Sequence, residues 1–135
     1  MNRRLYVSGI AGLAIVLSGC AGTQGGIVPL RDTIASDKAD FEQCANDTAT
    51  RLIETTDYDP QTVATTALER CDRYWQSYTK NLQQLYTRQT RNITYGHLES
   101  RSQGFALNQQ LHRRIQQRAE QARAAGAHQD GPQGG

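Results

Sequence analysis

From residue 37 onward, apolar side chains recur at steps of three and four, the signature of helices that bury one face. Phe41, Cys44, Ala45, Ala49, Leu52 and Ile53 form a first stripe, with Thr48 in the remaining slot. Ser36 stands where an N-cap is expected, with acidic residues following it. Thr55-Thr56-Asp57-Tyr58 breaks the pattern, and Asp59-Pro60 restarts it in the order of N-cap and first helical residue. A second, longer stripe follows: Val63, Ala64, Ala67, Leu68, Cys71, Tyr74, Trp75, Tyr78, Leu82, Leu85, Tyr86 and Ile93. Gly96 is read as its stop. After a polar stretch, Leu107, Leu111, Ile115, Ala119 and Ala122 describe a third, narrower face.

The pattern predicts an all-α chain with helices over about 37–56, 60–95 and 100–125. The first two form an antiparallel hairpin, extended by the third to a small three-helix bundle. Pairing the second and third stripes around a turn near residue 96 sets Leu85 against Leu107, Leu82 against Leu111, Tyr78 against Ile115 and Trp75 against Ala119. Trp75 is then the expected centre of the core. The alternative is a second helix that runs on through Gly96, leaving the third free. Residues 20–36 read as a flexible tether, spanning at most ~50 Å, in which Ile27, Val28 and Leu30 could dock on the domain or a bilayer. Residues 126–135, Gly- and Gln-rich, read as a disordered tail.

The first twenty residues obey another plan. Arg3 and Arg4 precede an apolar run from Leu5 to Leu17, too short and too interrupted by Ser8, Gly9 and Gly12 to span ~30 Å of hydrocarbon. It ends in Leu17-Ser18-Gly19-Cys20. This tetrapeptide resembles the lipobox of bacterial lipoproteins. The resemblance implies that residues 1–19 are a removed signal peptide and that Cys20 is acylated and begins the mature chain. It also implies attachment to a membrane through Cys20. Ala21 follows, where an Asp would direct inner-membrane retention in that class, so the implied address in a diderm envelope is the periplasmic side of the outer membrane. The resemblance ends at Cys20; the mature domain matches no family recognisable from its residues.

An exported domain lies in an oxidising compartment, which bears on the other two cysteines. Cys44 lies 14 residues before Tyr58 and Cys71 lies 13 after it, so an antiparallel hairpin places them at one height. A Cys44–Cys71 disulfide is expected, worth roughly 3–4 kcal/mol in the chain-entropy model. A metal pair or two free thiols are the competing readings, but a zinc site or redox pair favours Cys-x-x-Cys spacing that the chain lacks.

Charge needs recounting after removal of Arg3 and Arg4, since 13 basic residues then face 13 acidic ones. The net charge of the full chain is therefore no sign of nucleic-acid binding. The distribution is uneven: residues 32–72 hold ten acidic and three basic side chains, residues 73–123 nine basic and two acidic. A cationic surface of Lys80, Arg88, Arg91, Arg101, Arg113, Arg114 and Arg118 could meet an anionic partner such as lipid headgroups, glycolipid or cell-wall polymer. Alternatively, the acidic first helix neutralises the third. His97, His112 and His128 are scattered, and no nucleophile elbow, phosphate loop or metal-ligand spacing is present. The residues thus predict a non-catalytic accessory or docking lipoprotein of the envelope, without cofactor or metal and with a protein partner. The alternative is a binding module for anionic envelope components, and a cell-wall hydrolase has only the address in its favour.

Overall fold

The computed structural model describes residues 27–129. They form four helices: α1 (Val28–Thr55), α2 (Pro60–Arg70), α3 (Asp72–Thr90) and α4 (Ile93–Gln129). The fold is all-α. α2 and α3 make one long rod interrupted at a single residue, and α1 and α4 both pack along it, giving a three-layered bundle. Residues 1–19, expected as a signal peptide, and Cys20 lie outside the described residues.

The α1–α2 hairpin follows from local chemistry. The Asp59 carboxylate accepts from the Thr62 backbone N–H at 3.0 Å and from the Thr62 hydroxyl, and Pro60 supplies the fixed φ of a first turn. Those bonds hold the Asp59 carboxyl below its ordinary value, Thr62 being the main cause. The rod then breaks at Cys71 (φ −104°, ψ 9°), whose N–H turns back to the Leu68 carbonyl at 3.0 Å. The sequence pattern runs through this break because the apolar stripe keeps its phase across it. Cys71 is fully buried there, among Phe41, Val63, Leu111 and Ile115, the other largest fully buried side chains. Buried Ala45, Ala49, Ala64, Ala67 and Ala119 let the helices approach closely. Tyr78 is buried beside them, and desolvation pushes its hydroxyl pKa up, aided by Tyr86 and Glu42.

Three expectations are corrected. The tether does not reach residue 36: α1 starts at Val28, eight positions before the expected N-cap Ser36, with Pro29 in its first turn, and Ile34 packs against the core. At the other end, α4 continues past Gly126 to Gln129, so the segment read as a tail begins helical. The third correction concerns register. α3 ends at Arg91, the one non-glycine residue with positive φ (54°) among those described, and Asn92 caps α4 by accepting from the Tyr95 N–H at 3.0 Å. The turn is therefore near residue 91, and Gly96 lies inside α4.

Gly96 is small for a different reason. A Cβ there would collide with the Thr87 hydroxyl and come within 2.9 Å of the Thr87 backbone nitrogen. Gly104 is similar: a Cβ would stand 2.5 Å from the Thr79 methyl and 3.3 Å from the Trp75 Nε1. Between them Ser100 is buried, its hydroxyl turned to the His97 carbonyl at 3.0 Å. Gly96, Ser100 and Gly104, each four apart, are a small-residue seam on which α3 and α4 meet. Trp75 donates Nε1–H to the Gly104 carbonyl at 3.2 Å, so it faces Gly104 rather than Ala119. It is half-buried at the seam's edge, not the core's centre. The slipped register carries Leu111 and Ile115 down to α2, and α4 covers both segments of the rod rather than lying free.

Gly104→Val should therefore lower the stability of the folded chain by about 1–3 kcal/mol in urea unfolding, through overpacking against Thr79 and Trp75. Gly126→Ala, in open space on α4, should leave it unchanged or raise it. The Asp59 cap gives a pH signature: its contribution is complete above the unfolded value near 3.8 and is lost as pH falls through the lower folded value. Asp59→Asn, which keeps an acceptor without a titrating group, should flatten that acid-side loss in thermal melts followed by circular dichroism.

Candidate functional site

Cys44 and Cys71 are joined, with Cα atoms 5.9 Å apart. The hairpin's symmetry about Tyr58 brings them level, and the apolar face of each helix aims both inward. The Thr48 hydroxyl lies 3.8 Å from the Cys71 sulfur, so a buried hydroxyl and the crosslink share one layer of the core. Beside this layer, an acidic groove of about 320 Å³ opens between Asp40, Asp47, Arg51 and Tyr74. The disulfide also sits where the rod breaks. It thus pins α1 to the junction of α2 and α3, the point about which the rod would otherwise pivot.

The seven cations of the candidate surface separate into three places. Lys80 and Arg101 face each other across the α3–α4 seam, in a groove of about 480 Å³ that also contains Trp75, Gln83 and His97. Farther toward the α3–α4 turn, Lys80 and Arg88 line a second groove of about 410 Å³ with Thr87 and Ile93. Arg91 is exposed at the turn itself. These four form one cationic end of the bundle. Arg113 and Arg114 are exposed on α4 at the level of α2, roughly 18 Å or more along the helix from Arg101. Arg118 is half-buried and donates Nη2–H to the Asn46 carbonyl of α1 at 3.0 Å. It acts as a staple between the first and last helices.

The sequence pattern missed the apolar side chains on the outer face of α4. Tyr95, Leu98 and Phe105 are 46, 63 and 62 % exposed, placed outside by the same register that turns Gly96, Ser100 and Gly104 inward, whereas Ile93, expected in the buried second stripe, is 71 % exposed at the start of α4 and lines the groove against α3. The signal was available: Leu98 and Phe105 lie out of phase with the Leu107–Leu111–Ile115 stripe. His97 lies beside the groove, while His112 is near Thr65 of α2, its Nε2 3.3 Å from the hydroxyl. Among the described residues no three His, Cys, Asp or Glu side chains are grouped to hold a metal, and no helix is long and apolar enough to cross a membrane.

No protein-family model, curated protein or solved structure matches the chain.

Reduction of the Cys44–Cys71 bond, or Cys44→Ala with Cys71→Ala, should cost about 3 kcal/mol in chemical unfolding. Loss of less than about 1 kcal/mol would mean that packing alone holds the α2–α3 junction.

Proposed function

We propose that the protein is a small lipid-anchored accessory protein of the bacterial cell envelope, a non-catalytic helical domain that docks on an envelope partner. The Leu17-Ser18-Gly19-Cys20 tetrapeptide, following a charged and then apolar leader, carries this reading. The disulfide, from half-buried Cys44 to fully buried Cys71, supports it independently, because a crosslink across a thin core suits an oxidising compartment. Ala21 suits the outer membrane. The domain's form also fits: an elongated, pinned bundle presents long side-facing surfaces and shallow open grooves, which suit contact with a macromolecule.

An acylated cysteine with two or more chains is held at ~0.8 kcal/mol per buried CH2, effectively without release. The domain then meets its partner by searching one surface. In a bacterial host, Cys20→Ala should move the protein out of the acylated membrane fraction and abolish incorporation of a palmitate analogue. Crosslinking of the native chain in whole envelopes should recover a reproducible protein partner. Unchanged fractionation and labelling of Cys20→Ala would refute the anchor, and recovery of no partner would refute docking.

A further inference from the structure

We infer that the outer face of the first four turns of α4 is a second membrane contact, lying along the anionic headgroups of the leaflet that holds Cys20. Tyr95, Leu98 and Phe105 form its apolar stripe, and Arg91 and Arg101 its cationic flanks. Spacings of three and seven put these apolar side chains on one side of α4, roughly opposite the buried Gly96–Ser100–Gly104 seam. Nothing in the bundle covers Leu98 or Phe105. Tyr95 sits edge-on to Tyr86, centroids 6.4 Å apart, which fixes its ring at the margin of the stripe.

The position of α1 identifies the occupant. Asn81 of α3 donates to the Asp37 carboxylate at 2.6 Å, fixing the level at which α1 and α3 cross. Ile27 is ten residues before Asp37, and Arg91 is ten residues after Asn81. At 1.5 Å per residue both stand about 15 Å from that level, so the chain enters α1 at the same end of the bundle as the α3–α4 turn. Seven residues connect Cys20 to Ile27, a reach of at most ~25 Å. A bilayer that holds Cys20 therefore lies within reach of the end that carries the stripe.

The chemistry of the stripe matches that surface. Tyrosine favours the headgroup level, exposed Leu and Phe insert into the acyl boundary, and flanking arginines meet phosphates while their stems cover apolar surface. A second copy is a poorer occupant, since three side chains fall well short of the ~800 Å² per partner of a stable dimer. Tethering removes that demand, because the anchor makes the contact intramolecular. The domain would then lie with α4 against the membrane at one end, leaving the end near Tyr58 for other partners.

This inference rests on acylation of Cys20, and its test separates the two. The lipidated full-length protein is reconstituted into phosphatidylcholine vesicles containing about a third brominated phosphatidylglycerol. Trp75, the only tryptophan, is replaced by Phe, and a single tryptophan is introduced as Leu98→Trp, Phe105→Trp or, at the far end, Tyr58→Trp. The expected result is a blue shift and loss of most emission for Leu98→Trp and Phe105→Trp, with Tyr58→Trp unaffected. Hydroxyl-radical footprinting of the unsubstituted lipidated chain, should Trp75→Phe not fold, must show Leu98 and Phe105 protected in anionic vesicles but less so in pure phosphatidylcholine. Equal quenching of all three tryptophans, or equal oxidation in both vesicles, overturns the contact while leaving the anchor standing. So does a lipid-independent dimer that buries Leu98. A chain recovered from membranes without an acyl group at Cys20 overturns both.

Discussion

The covalent bond between Cys44 and Cys71 is the constraint to which the rest of the bundle refers. It joins the middle of α1 to the single residue at which the α2–α3 rod breaks, so it fixes height and pivot together. Around it the core interleaves alanines with leucines, and the largest side chains fully buried are Phe41, Leu111, Ile115, Val63 and Cys71. Such a core offers close approach but little apolar area, and small domains of this kind depend on crosslinks to restrict the unfolded chain. Long-range polar contacts add to the disulfide: Asn81 to Asp37 ties α3 to α1 toward one end, and Arg118 to the Asn46 carbonyl ties α4 to α1 near the height of the disulfide.

The α1–α2 hairpin was legible in the sequence because every determinant is local. Asp59-Pro60 marks a start, the preceding polar run marks a stop, and two cysteines 14 residues before and 13 after Tyr58 set the register. The α3–α4 pairing was not legible. Leucines spaced four apart define a face but not a translation, since such a stripe slides along its partner by whole turns without changing phase. The turn that sets the translation is Arg91-Asn92, which contains neither Gly nor Pro. Gly96 was read as the stop, whereas its lack of a side chain serves the close approach to Thr87. The error displaced Trp75 from Gly104 to Ala119, about four turns along α4.

The candidate surface shows the same division. That the second half of the chain is cationic follows from counting, but charge alone does not say which cations are neighbours. The fold gathers Lys80, Arg88, Arg91 and Arg101 at one end and assigns Arg118 to a backbone carbonyl. That end is also where α1 begins, and therefore where the segment leading from Cys20 joins the domain. The cations, the exposed apolar stripe and the start of α1, to which the proposed anchor segment leads, thus converge on one end through the antiparallel topology, with no single local motif announcing it.

The account depends on three cysteines with two fates, one for the membrane and two for each other. Peptide mapping by mass spectrometry of the membrane-extracted protein, alkylated without reduction, reads all three at once. The predicted result is an acylated N-terminal peptide that begins at Cys20, together with a Cys44–Cys71 linked peptide that takes up no alkylating reagent. An uncleaved leader with an unmodified Cys20, or alkylated thiols at Cys44 and Cys71, would contradict it.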